Sequence, residues 1–205
     1  MLGKFKIAKS ARCVTILVMA EAYSIGYGNR ELEEFLKLVE SYGIRYLLDV
    51  RSSPYSRFSP DFNQASLEHA CAAKRIKYVF VGDQLGGRPQ KDRCYDDEGR
   101  VDYTRLAEEP YFVEGVRRLE TAIAKNLDFV LMCSELRPEQ CHRSKLIGKV
   151  LEDHGIRLRH IDADGGLVDQ AAVIERITGG QRDLFGDAPD VSRSRGSYRT
   201  IQNND

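Results

Sequence analysis

The sequence has no surplus of charge of either sign. Lys and Arg together number 31, as do Asp and Glu, so the formal net charge is zero. A protein that coats nucleic acid without regard to sequence needs an excess of cations to displace counterions. That class is excluded, and a local basic site is not. A disulfide framework is also missing. The five cysteines, Cys13, Cys71, Cys94, Cys133 and Cys141, are odd in number and irregularly spaced,. There is little long apolar sequence either. Val14 to Ala20 lacks a cleavage pattern and falls well short of the roughly 20 residues a spanning helix needs. These absences lead to the expectation of a soluble, cytoplasmic, reduced protein with no membrane partner. A chain of 205 residues is long enough for one domain with a substantial core,.

Along the chain, short apolar runs alternate with amphipathic stretches. Residues 1–21 are read as an N-terminal extension or extra strand, with Arg12 to Ala20 as its apolar part. Ala22 to Gly28 reads as a strand entering a glycine turn. Asn29 is expected to cap a helix over Arg30 to Tyr42, which Gly43 ends. Strands are expected over Ile44 to Val50, Ile76 to Val81, Phe129 to Cys133 and Ile156 to Ile161. Helices are expected over Asn63 to Arg75, Asp102 to Glu109, Tyr111 to Lys125, Lys145 to His154 and Val168 to Ile177. Gly82 to Arg100 reads as a long loop. This alternation predicts a single α/β domain over residues 22–177, a Rossmann-like three-layer sandwich whose mostly parallel sheet carries helices on both faces. From Thr178 to Asp205, Gly, Ser, Asp and Arg dominate and periodicity ends, so a flexible tail is expected.

Ligands of such sheets sit at the carboxyl ends of the strands. Three polar clusters fall there: Tyr27 to Arg30, Asp49 to Ser52, and Cys133 to Arg143. The last is the densest in chemistry. Cys141, beside His142 and Arg143 near a helix start, is placed to be a nucleophile with a lowered pKa. Arg does not stand six residues after Cys133, since position 139 is Glu, so a tyrosine-phosphatase loop is disfavoured. Cys133, Glu135, Cys141 and His142 could instead hold a metal, with His160 as a further ligand if the last strand lies alongside. The spacing matches no standard finger, and metal binding is the less favoured reading. A third alternative is that the cysteines only pack. Glu135 and Asp49 are the candidate acid/base carboxylates. Arg30, Arg51 and Arg143 are expected to hold phosphate, with Asn29, Arg88 and Ser144 lining the same site. The competing expectation for the arginines is internal ion pairing, Asp49 with Arg51 or Glu135 with Arg143. Tyr23, Tyr27, Tyr55 and Phe58 stand in or beside these loops, where aromatic rings can stack bases.

The chain resembles the domain-of-unknown-function family 488. The resemblance rests on Ser24-Ile-Gly-Tyr-Gly-Asn-Arg30, Glu31 to Leu36, Leu48-Asp-Val-Arg51 with Pro54, and the Phe62-Asn63 pair. Leu85-Gly-Gly-Arg88, Leu131 to Glu135 and Cys141-His-Arg-Ser144 complete it. It covers about residues 22–165 and leaves out the first twenty residues. It implies a compact α/β domain and no assigned reaction.

In the tail, Gln181-Arg-Asp-Leu-Phe185 resembles the peptide by which bacterial polymerases and repair proteins dock on the sliding clamp. Gln181 would supply polar contacts, and Leu184 and Phe185 would fill an apolar pocket. The resulting expectation is an enzyme acting on a phosphate-bearing substrate, DNA or a nucleotide, brought to DNA by the clamp. The alternatives are a non-catalytic phosphate-binding module and a thiol- or metal-dependent enzyme on a small metabolite.

Overall fold

Residues 20–179 and 191–199 are described by a computed structural model of the chain. The elements in order are β1 (Glu21–Gly26), α1 (Leu32–Ser41), β2 (Tyr46–Asp49), α2 (Gln64–Ala73) and β3 (Lys77–Phe80). The short helix α3 (Gly82–Leu85), β4 (Arg100–Asp102), α4 (Tyr103–Ala107), α5 (Pro110–Ala124) and β5 (Phe129–Cys133) follow. Arg143–Gly148 is a π-helical stretch running into α6 (Lys149–Asp153). Last come β6 (Arg157–Ile161), β7 (Leu167–Asp169), α7 (Gln170–Thr178) and β8 (Arg193–Ser197).

The main sheet has the order β3-β2-β5-β1-β6-β7. All of its neighbours pair in parallel except β6 with β7, which are antiparallel. The expected α/β sandwich is therefore the fold. Its two faces can be read off β5. Phe129, Leu131 and Cys133 enter one apolar cluster, with Phe112, Val116 and Leu119 of α5 and Leu151 of α6. Val130 and Met132 enter the other, with Phe35, Leu36 and Val39 of α1 and Leu67 of α2. Side chains alternate across a strand, so a strand covered on both sides is apolar throughout. All five residues of β5 are accordingly buried.

Several local expectations are corrected. Asn29 is not the cap of α1. The Arg30 N–H donates to the Tyr27 carbonyl at 2.9 Å, so the chain makes one more turn and Glu31 takes the cap position. Gly43, at φ 71°, does supply the left-handed residue that stops the helix,. Leu167–Asp169 forms an edge strand before α7, where a helix start is expected at Val168. Part of the expected flexible tail is a strand, because β8 pairs antiparallel with β4. Ser194 anchors it by accepting the Val101 N–H at 2.9 Å. Arg12 to Val18 and Met19 lie outside the described residues, as do Gln181, Leu184 and Phe185.

Candidate functional site

The chain leaves β1, β2 and β5 at the same edge of the sheet, and β5 lies between the other two. A strand order that reverses in this way opens a crevice beyond the carboxyl ends. A cleft of about 580 Å³ lies there. Its lining includes Arg51 after β2, and Cys133, Glu135, Cys141 and His142 at and after β5. The densest polar cluster of the sequence thus forms the floor.

The floor is tightly connected. Glu135 Oε2 lies 2.9 Å from Cys133 Sγ and 3.2 Å from Cys141 Sγ. His142 Nδ1 lies 3.6 Å from Cys141 Sγ and 3.9 Å from Cys133 Sγ. The other ring nitrogen of His142, Nε2, donates to the Val50 carbonyl at 3.1 Å, so Nδ1 faces the sulfurs and is bare when the ring is neutral,. Gly87 backs the ring, and a Cβ there would come within 2.6 Å of the imidazole. Burial opposes ionisation of Cys141. The hydrogen bond from Cys133 and the charge of Arg143 outweigh it and hold that thiol well below its ordinary pKa,. The same hydrogen bond, with burial, drives Cys133 well above its own. Burial also works against a charged His142, but the Cys141 sulfur more than offsets it and raises the imidazole pKa.

The three arginines expected to hold phosphate turn inward. Arg143 is fully buried. Its Nε donates to Cys141 Sγ at 3.3 Å, Nη1 to Ser24 Oγ at 3.3 Å and Nη2 to the Glu135 carbonyl at 2.6 Å. Arg30 donates to the carbonyls of Gly26, Asp162 and Ala163 and ties two loops together. Arg51 reaches the cleft, yet it is paired with Asp49, from Nε to Oδ1 at 2.9 Å and from Nη2 to Oδ2 at 2.5 Å. Internal pairing of Asp49 with Arg51 is thus what forms. Asp49 is fully buried, also accepts from the Tyr78 hydroxyl at 2.7 Å, and is absent from the cleft lining. Its position is that of a structural anion rather than a proton carrier. Asn29 is exposed and outside the cleft lining. Ser144 is buried and donates to the Pro138 carbonyl at 2.7 Å. Arg88 does stand at the cleft, with its guanidinium 4.1 Å from the centroid of the Tyr198 ring.

Behind the floor runs a polar chain whose donors and acceptors are fixed by one amide. Gln170 Nε2 donates to the Ser144 carbonyl at 2.9 Å, so its Oε1 accepts from His160 Nε2 at 2.7 Å. His160 Nδ1 then accepts from Ser24 Oγ at 2.6 Å, and Ser24 accepts in turn from Arg143. Both nitrogens of His160 are taken, so it is not a metal ligand. Burial, with the nearby Arg143 charge and against the Gln170 hydrogen bond, lowers its pKa to about 4. The unfolded chain titrates this group near its ordinary value of about 6.5. Between these values the unfolded state binds a proton that the folded state refuses. The contribution of His160 is therefore complete above pH 6.5 or so and falls away as pH drops through the folded pKa, by on the order of 3 kcal/mol. Urea midpoints at neutral and mildly acid pH should show this drop, and a His160→Gln variant should flatten it.

Sequence reasoning missed Tyr103, Arg195 and Tyr198 of the cleft lining, and Ser24 and Gln170 behind it. The last two carry no local signal. Arg195 and Tyr198 reach the cleft only because β8 returns to β4. No helix among the described residues is long and apolar enough to cross a membrane. Neither the curated proteins nor the solved structures contain a match to the chain. The sequence model described as Domain of unknown function DUF488 matches residues 31–150, a span that holds Asp49, Arg51 and the whole floor cluster. That span is more than half of the sequence, and the chain belongs to the DUF488 family.

Proposed function

We propose that this chain is an enzyme acting on a nucleotide or on single-stranded nucleic acid held in the cleft. Cys133, Glu135, Cys141 and His142 form its reacting centre. The observation that carries the reading is the contrast between rim and floor. Tyr55 and Phe58, on the Ser/Pro-rich loop after β2, are 70% and 82% exposed above a floor of buried thiols and imidazole and a half-buried carboxylate. Large aromatic rings left in water at a cleft mouth suit a flat ligand that stacks on them. Arg57 lies 4.6 Å from the Phe58 ring, and Arg88 and Arg195 also line the cleft, so cations stand where the phosphates of a stacked nucleotide would pass,. Glu135, half-buried and in contact with both sulfurs, is the proton carrier in this reading,. Docking of the Gln181, Leu184 and Phe185 peptide on the sliding clamp would bring the enzyme to DNA.

The chain contains no tryptophan, so Phe58→Trp gives a single emitter at the rim. Titration with a nucleoside monophosphate should quench it saturably, and the unphosphorylated nucleoside should bind at least about tenfold more weakly, as loss of a charge-assisted contact does. On the immobilised clamp, a Gln181→Ala, Leu184→Ala, Phe185→Ala chain should lose retention. An emitter that responds to neither nucleoside monophosphates nor short single strands would sink the reading.

A further inference from the structure

We infer that Cys133, Cys141 and His142 bind one zinc ion, with its fourth position turned toward Glu135 and the cleft. Four observations bear on it. The two sulfurs and the bare nitrogen all lie within 4.8 Å of one another. Zinc bonds of about 2.3 Å to sulfur and 2.0–2.1 Å to nitrogen, at tetrahedral angles, place such atoms about 3.5–3.8 Å apart. The two sulfur–nitrogen separations of 3.6 and 3.9 Å already stand close to that spacing.

Second, the imidazole is prepared as a ligand. Its Nε2–H is held by the Val50 carbonyl, which is the outer hydrogen bond that fixes tautomer and ring orientation in histidine metal sites,. Gly87, which has no Cβ, lets the chain pack close against the ring.

Third, the charges close. Arg143 is fully buried, and among the described residues its guanidinium meets a sulfur, a hydroxyl and a carbonyl but no carboxylate side chain. A buried cation of this kind needs anionic neighbours. Two thiolates and zinc sum to zero, and Arg143 with Glu135 also sum to zero.

Fourth, the ligand types select the metal. Two thiolates and an imidazole suit zinc over magnesium or calcium, which take oxygen. Three protein ligands with the remaining position on an open cleft is the arrangement of a site that binds water or substrate rather than one that only braces the fold. Glu135 then stands beside that position.

The test uses the full chain, reduced and stripped of metal, with zinc and cobalt alone as probes and no nucleotide present. Zinc should bind at one ion per chain by mass spectrometry. Cobalt should give thiolate-to-metal charge transfer in the near ultraviolet and the intense visible bands of a tetrahedral site. Cys133→Ser and Cys141→Ser should each weaken binding by at least about 100-fold, the upper end of what loss of a merely supporting contact does. Cys71→Ser, on α2 across the sheet, should leave it unchanged. Absence of the thiolate band in the reduced wild-type protein overturns the inference even if the serine variants fail to fold. Wild-type affinity for cobalt in folded Cys133→Ser or Cys141→Ser overturns it as well. Because no nucleotide enters this readout, failure of the rim to bind one leaves the outcome unaffected.

Discussion

Replacing Arg143 by methionine should lower the unfolding free energy by about 3–5 kcal/mol, the range for breaking a buried charged network. Melting temperature should fall by roughly 10 °C for a chain of this size. Methionine approximates the stem of the side chain, so cavity formation contributes little and the loss reports the guanidinium. Three groups lose their donor together: the Glu135 carbonyl, Ser24 Oγ and Cys141 Sγ. A buried acceptor left without a partner costs about 1–3 kcal/mol. The damage should also propagate, because Ser24 is the link to His160 and Gln170. Arg143→Lys should recover little. A single ammonium cannot reach three acceptors lying in three directions, as the planar fork does. Thermal unfolding of the two variants beside the wild type checks this. A methionine variant within about 1 kcal/mol of wild type, the size of one ordinary hydrogen bond, would mean that the network contributes no more than its weakest member.

Asp49→Ala should be comparably severe, about 3–5 kcal/mol, for the opposite reason. Here the anion goes and the cation stays. Arg51 is buried, and burial works against its charge, but a guanidinium does not release its proton in a protein, so it stays ionised when the carboxylate is gone,. Removing the carboxylate strands that charge and unpairs the Tyr78 hydroxyl and the Arg51 N–H as well. Asp49→Asn should cost less, since the amide oxygen can still accept from one or two of these donors. The loss should barely change between low and high salt, because a buried pair is poorly screened. Denaturant midpoints for both variants at two ionic strengths provide the measurement. A strong salt dependence would show that the pair is open to solvent. Taken with Arg143, the result would separate the acidic residue that braces the β2 end from Glu135, which faces the cleft.

The strands, the helices α1 and α5 and the glycine that stops α1 were legible in the sequence, because each is written in residues close together along the chain. The convergence of Arg51, Glu135, Cys141 and His142 also followed, since parallel strands must deliver their carboxyl ends to one edge. Where the arginines point did not follow. An arginine side chain spans several ångströms through rotatable bonds, and its acceptors here include backbone carbonyls, which carry no residue identity. Arg30 meets Asp162 and Arg143 meets Ser24, partners more than a hundred positions away. Arg195 and Tyr198 were equally hidden. The β4–β8 ladder is short and polar, held by Ser194 rather than by an alternating apolar face. Nor could the spacing of Cys133 and Cys141 show that the loop between them folds back to bring both sulfurs against one imidazole. Sequence alone determined the layered sheet and the edge that carries the site. Tertiary packing decided which charges are paired inside and which face the cleft, because only folded distances settle which acceptor each donor can reach.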